Sequence, residues 1–469
     1  MNAAERIYAA STSQGETSAR LAEELARRIE DDIAANDVAP GGALGSLREL
    51  SERYHVGRSV AREATGLLER RGLGRLRPGP SGGFILAQPQ PDAIGEELAD
   101  HFRLAGVTLR QLLDAREAVD LMAARLAAAA RPGEADLRRL TAVGRTDDLS
   151  GLLSTRAAIA GLVGDPVLSL LAACLNSLTV DFASTDGRRR SGAGSDADMA
   201  AALAAGEVRA AEELAMRSHR ELASRLVERR GPHRSEPPEL CRAANAPGNL
   251  ATAIAREIAA EILNSGAGTR LGSEWDLCER FHVSRLTLRQ AIRLLQDSGL
   301  VECRRGRGNG LLVRDRRAAG AIRLVLAFLI GVRANPLATG TMLFELNCFV
   351  PALAVGRADA SQRRQLEAAL ARVEACDPFD RYDLLSLVHC VSRLADSPII
   401  DLFSRCLAAY EARFRPTLAE SLPASAQANY FRLVRRLLDR LPVGSPLDLE
   451  PAKRETAALM LEMSRSRPL

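Results

Sequence analysis

Lysine is almost missing from this chain: Lys453 is the only one in 469 residues, so nearly all of the 63 basic side chains are guanidinium groups. A Schiff-base lysine is therefore not available outside one position near the end of the sequence, which argues against a fused pyridoxal-phosphate domain. Aromatics are scarce at 4%. The eight cysteines (Cys174, Cys241, Cys278, Cys303, Cys348, Cys376, Cys390 and Cys406) include no CxxC pair. That spacing speaks against a disulfide framework or a zinc knuckle and predicts free thiols. No run approaches the roughly 18 to 20 uninterrupted apolar residues of a membrane span. Met1 to Glu16 lack the basic start and apolar stretch of a secretory leader, so a cytoplasmic protein with no membrane partner is expected. A nucleophile elbow, an HExxH motif and a P-loop are missing as well, and neither enzymatic activity nor a cofactor is expected. There is also no excess of one charge, since the net charge is only +4. Any polyanion partner must be argued from where the arginines stand.

Apolar residues make up 46% of the chain, and Ala, Leu and Arg dominate it, which is the composition of a mainly helical protein. At roughly 150 residues per domain the length suggests three or four domains. Self-similarity organises them. The segment Leu44 to Leu86 lies over Leu271 to Val313 without a gap, so that Arg285 stands 227 positions after Arg58 and Gly310 stands 227 after Gly83. Upstream, Leu25 to Ile33 (LARRIEDDI) matches Ile254 to Ile262 (IAREIAAEI) at an offset of 229. Downstream, Gly164-Asp165-Pro166-Val167-Leu168 resembles Asp396-Ser397-Pro398-Ile399-Ile400 at an offset of 232. A repeated unit must be recognised before any domain is assigned. The expected organisation is a disordered start over 1–16, a first winged helix-turn-helix over 17–90, a helical domain over 91–228 and a Pro-rich, charged linker over 229–247. A second winged helix-turn-helix follows over 248–316, and a second helical domain over 317–469.

In the first copy, Glu49 to Tyr54 reads as a short helix, His55-Val56-Gly57 as a turn and Arg58 to Arg71 as a second helix, the spacing of a helix-turn-helix. Ala61, Ala64, Thr65 and Leu68 recur at helical spacing and face the core, which leaves Arg58, Ser59 and Arg62 on the outer N-terminal face. The second copy has a bulkier core face of Leu288, Ala291, Ile292 and Leu295 and exposes Ser284, Arg285, Thr287 and Arg289. It should be the better packed, because Gly66 weakens the first copy's helix by about 1 kcal/mol. After each of these helices comes Gly-Leu and then two extended stretches joined by a tight turn, a two-stranded wing. Its tip is Arg77-Pro78-Gly79-Pro80-Ser81-Gly82-Gly83 in one copy and Arg304-Arg305-Gly306-Arg307-Gly308-Asn309-Gly310 in the other. Glycines let backbone amides approach phosphates closely, and the arginines supply charge. An isolated pair of such arginines would be a solvated helical face. The ordered series, present twice, points to a DNA reader.

These motifs resemble the GntR family of regulators, whose winged helix carries a pattern like L-P-S-E-R-E-L-A, G-V-S-R-x-x-V-R-E-A and R-x-G-x-G. The resemblance implies DNA contacts at Arg48, Gly57, Arg58, Arg62 and Gly79 in the first copy. In the second it implies Trp275, Ser284, Arg285, Arg289 and Gly306. Trp275 stands where the family has arginine, and Gly57 where it has a hydroxyl residue. The two half-sites should then be read differently and the operator should be asymmetric. Double-stranded DNA is the implied partner, with transcriptional repression or activation as the outcome.

The stretches 91–228 and 317–465 show helical periodicity without strand signals, and two antiparallel α-helical bundles are expected. The first resembles the FCD effector domain of FadR-like GntR regulators through Arg116, Asp120 and the Gly-Asp-Pro-Val-Leu turn; the second, with Asn347, Pro351 and Asp396-Ser397-Pro398, resembles it less. Metal ligands of that domain are replaced here, by Leu152 and Arg156, by Leu384 and Val388, and by Asp196. His219 matches one ligand, and His389 sits one residue off register. No metal is expected. Arg116 or Arg156 would either receive the carboxylate of a small organic effector or pair with Asp120. The expected protein is thus an intramolecular pseudo-dimer, with a homodimer as the other assembly. The alternative is a sensor or protein-interaction module that keeps the fold without binding DNA.

Overall fold

The computed structural model describes residues 14–35, 38–77, 79, 82–143, 148–183, 195–228, 250–263, 265, 268–297, 300–303, 310–313, 319–375, 381–414 and 424–440. Along the chain run α1 (Gln14–Ala35), β1 (Ala43–Gly45), α2 (Leu47–Arg53), α3 (Arg58–Arg70), β2 (Gly74–Arg77), β3 (Gly83–Leu86) and α4 (Pro91–Leu104). Next come α5 (Leu109–Ala130), α6 (Glu134–Val143), α7 (Leu149–Leu162), α8 (Pro166–Phe182), α9 (Ser195–Ala205) and α10 (Val208–Glu228). A second series follows: α11 (Leu250–Leu263), β4 (Arg270–Gly272), α12 (Glu274–Phe281), α13 (Arg285–Asp297), β5 (Val301–Cys303), β6 (Leu311–Val313) and α14 (Ala319–Gly331). The chain continues through α15 (Pro336–Arg357), α16 (Ala360–Ala375), α17 (Arg381–Ala395), α18 (Pro398–Phe414) and α19 (Ala424–Arg440). Helix α1 starts inside the stretch expected to be disordered, while 1–13 and the whole of the expected linker lie outside the described residues.

Two compact units divide the chain, one formed by Met1–Gly106 with Pro238–Ala334, the other by Val107–Pro237 with Asn335–Leu469. In the first unit, α1 packs on α3 and α11 packs on α13, each with a short helix and a three-stranded sheet. Both sheets have their strands in the order first, third, second: β1-β3-β2 and β4-β6-β5. The expected wing had two strands. The third was missed because Ala43–Gly45 and Arg270–Gly272 are three residues long, too short for a period-2 alternation to show. Both wings depend on one glycine. A Cβ on Gly83 would fall 2.7 Å from the Gly45 carbonyl oxygen, and one on Gly310 would fall 2.2 Å from that of Gly272. The edge strand can pair only because these positions carry no side chain.

The predicted core faces are buried: Ala61, Ala64, Thr65 and Leu68 in α3, and Leu288, Ala291, Ile292 and Leu295 in α13. Each short helix opens with a capping box, Ser46 with Glu49 and Ser273 with Asp276. The serine accepts from the third backbone amide and the carboxylate from the serine's own amide, so helix α2 begins at Leu47 rather than at Glu49. Helix α14 follows the second winged helix yet packs on α1 and α4 of the first copy, where Arg323 pairs with Glu23. Helices α4 and α14, expected in the helical halves, thus group with the winged helices.

In the second unit α5 packs against α7, α8, α9 and α10, and α15 against α17, α18 and α19. The two series also touch each other, α5 lying against α15 and α18. Charged pairs cross that seam. Arg125 Nη2 is 3.0 Å from Glu345 Oε2, Arg357 pairs with Asp114, and Arg110 Nη2 donates to Asp396 Oδ2 at 2.6 Å. Helix α15 is long and apolar enough by length and composition to cross a membrane. Its side chains Met342, Leu346, Val350 and Leu353 are buried within the protein, as in a core helix.

Candidate nucleic-acid interface

Burial of one face of α3 and α13 leaves the other outward, and the first turns carry the polar groups. In the first copy Arg58, Ser59 and Arg62 are exposed. Neither arginine forms an ion pair among the described residues, so both guanidinium groups are available to an incoming anion. Arg48 on α2 is exposed too, but its Nε donates to Glu52 Oε1 at 2.8 Å, which offsets its charge. Gly57 caps α3 without a side-chain hydrogen bond. At the wing, Arg77 ends β2 on the exposed side, and Gly79 lies at the tip with φ of 120°, a left-handed conformation that favours glycine.

The second copy is arranged differently. Ser284 accepts from the Thr287 amide at 3.2 Å and shares a 2.9 Å hydrogen bond with the Thr287 hydroxyl, so both expected contact residues also serve the helix start. Arg289 is exposed and bonds both oxygens of Glu274, at 3.2 and 3.1 Å. Arg285 lies over the Trp275 ring, with Cζ 5.3 Å from its centroid, a cation–π contact. Sequence reasoning missed Leu286, which is exposed beside Arg285; its apolar type at an outward register position was the available signal. Arg304, Arg305, Gly306 and Arg307 lie outside the described residues.

A second polar cluster sits inside the helices around α5. Arg156 Nε donates to Asp120 at 2.9 Å, and its Nη2 donates to both the carbonyl and the hydroxyl of Ser218 at 2.9 Å. Asp120 is thus ion-paired with both Arg156 and Arg116. Arg116 is only 1% exposed; it bonds Asn176 and stands 3.7 Å from Asp120, while its Nε and Nη1 have no hydrogen-bond partner among the described residues. Burial lowers its pKa to about 10. His219 Nε2 is 3.8 Å from Glu117, and no group of three or more His, Cys, Asp or Glu suited to a metal occurs among the described residues. The His389 side chain lies outside what is described.

A helix-turn-helix whose second helix buries one face and exposes arginines at its start, next to a glycine-dependent hairpin, is a winged helix-turn-helix domain, and the first unit holds two. Residues 21–82 and 250–310 both match the family described as bacterial regulatory proteins, gntR family. Each winged helix is thus similar to that family over the matched residues. The chain is 32% identical over 108 residues to the HTH-type transcriptional regulator LutR of Bacillus subtilis (strain 168), a match covering 23% of this chain and 48% of that one. It spans about half the length of this curated relative. Among solved structures it is similar to Streptococcus agalactiae GntR at 21% identity and a TM-score of 0.30, over 43% of this chain and 98% of that one.

Proposed function

We propose that the chain is a cytoplasmic, sequence-specific transcription regulator in which one polypeptide supplies the two reading heads that a homodimer normally contributes. The observation that carries this reading is that both α3 and α13 bury their apolar faces and turn Arg58 and Arg285 outward at the end that enters a major groove. The two helical series share a seam of charged pairs, which supports a pseudo-dimer built from one duplicated chain. Unequal heads, Arg48 and Ser59 against Trp275 and Leu286, support an asymmetric operator.

The helical unit would respond to a small organic anion. Arg116 is the better receptor, because it is buried, its Nη1 has no hydrogen bond among the described residues and its Nε meets Asp120 only at 3.7 Å, whereas Arg156 is already satisfied by Asp120 and Ser218. A thermal-shift screen of small mono- and dicarboxylates tests this: a rise in Tm that Arg116→Ala abolishes is expected, and a rise that survives the substitution refutes it.

The neutralisation of Arg48 by Glu52 and Arg289 by Glu274 favours a second reading, a regulatory module that no longer binds DNA. Gel-shift measurements on a duplex between about 50 and 200 mM salt separate the two, because phosphate contacts give a steep negative slope of log affinity against log salt. The proposed function requires that slope, and its loss in the Arg58→Ala/Arg285→Ala double variant.

A further inference from the structure

The second head exposes two large apolar side chains on the surface that its arginines define. Leu286, the second residue of α13, is 71% exposed, and Trp275, the second residue of α12, is 58% exposed. Neither is needed by the core, since Leu277, Leu288, Ala291, Ile292 and Leu295 close it without them. The Trp275 ring holds the Arg285 guanidinium, and Leu286 is the next residue in the same first turn of α13, so one charged donor and two exposed apolar side chains belong to the start of this head's helices. The corresponding positions in the first head are Arg48 and Ser59, both polar.

Exposed Arg285 adjoins this pair and forms no ion pair among the described residues, which selects a polyanion rather than an apolar protein surface. Within the major groove of a duplex, the apolar feature that distinguishes one base pair from another is the C5-methyl group of thymine. We propose that the second head, but not the first, reads thymine methyls through Leu286 and Trp275, an inference that rests on the DNA-binding function proposed above. Arg285 supplies the hydrogen bonds or phosphate contact that set the register, and the apolar pair supplies the preference for the methyl. The operator would then carry thymine in one half-site where the other half-site shows no preference for a thymine methyl.

The test starts from a duplex selected by the full-length chain out of a random pool. Each half-site is then remade in turn with deoxyuridine for thymidine, which removes the methyl and keeps every Watson–Crick hydrogen bond. The expected result is a loss of affinity of roughly fourfold per contacted methyl in one half-site only, and no such loss for Leu286→Ser. Trp275, the only tryptophan, gives a second readout with the unmodified chain: its fluorescence should change less on binding the deoxyuridine duplex than the thymidine one. Tight binding with no methyl effect, equal effects in both halves, or a selected site without thymine would each overturn the inference alone. If no duplex is bound at low salt, the functional reading fails and this one with it.

Discussion

The first winged helix hides an ion pair whose removal has a large, signed consequence. Glu30 on α1 and Arg71, just past α3, meet at 2.7 Å with side chains only 6% and 3% exposed. Desolvation at that depth opposes the Coulomb attraction, so the pair adds little net stability, but either member left without the other is costly. Glu30→Ala should therefore destabilise the protein by about 3 to 5 kcal/mol, against a total of roughly 5 to 15 kcal/mol for a folded domain. Adding Arg71→Met removes the second buried charge and should recover most of that loss. The second copy supports the reasoning, since at the matching offsets it carries Ala259 and Ser298 in place of the pair. Urea denaturation followed by far-UV circular dichroism, on the two single variants and the double, measures the cycle. A single variant costing less than about 1 kcal/mol would refute the reasoning, because breaking a buried pair should exceed that. So would a double variant as unstable as the single ones.

Two further outcomes follow from the first unit. Gly66 lies within α3 with open space where a Cβ would go. Gly66→Ala should raise stability by about 0.5 to 1 kcal/mol by restricting the unfolded chain; a lower melting temperature would contradict it. His101 on α4 has its pKa pushed down from 6.5 to about 4 by burial, so the folded protein keeps it neutral where the unfolded chain is protonated. The unfolded state then binds the extra proton between those values, and stability should fall by up to about 3 kcal/mol as pH drops from 6.5 towards 4. His101→Gln should flatten that part of the profile in urea titrations, and an unchanged slope would rule the group out.

Helices α3 and α13 were legible in the sequence because four core positions at helical spacing, Ala61 to Leu68 and Leu288 to Leu295, fix which side faces out. The duplicate series reinforced each other, as a lone arginine pair could not. Strands β1 and β4 were not legible, because three residues carry no periodicity and their pairing depends on Gly83 and Gly310 far along the chain. The affiliation of α4 and α14 was hidden for a similar reason: an apolar helix announces that it is buried, not against which neighbour. Arg116 and Arg156 were picked out as a pair, yet their different satisfaction depends on Ser218 and Asn176, about sixty residues away in the chain.

Nuclease footprinting of the selected duplex with the single variants Arg58→Ala and Arg285→Ala addresses the central claim most directly. Two protected half-sites about one helical turn apart, roughly 10 base pairs, should appear with one bound chain, and each variant should erase protection of a different half. Protection that both variants leave intact, or that both variants remove from the same half, would contradict the account.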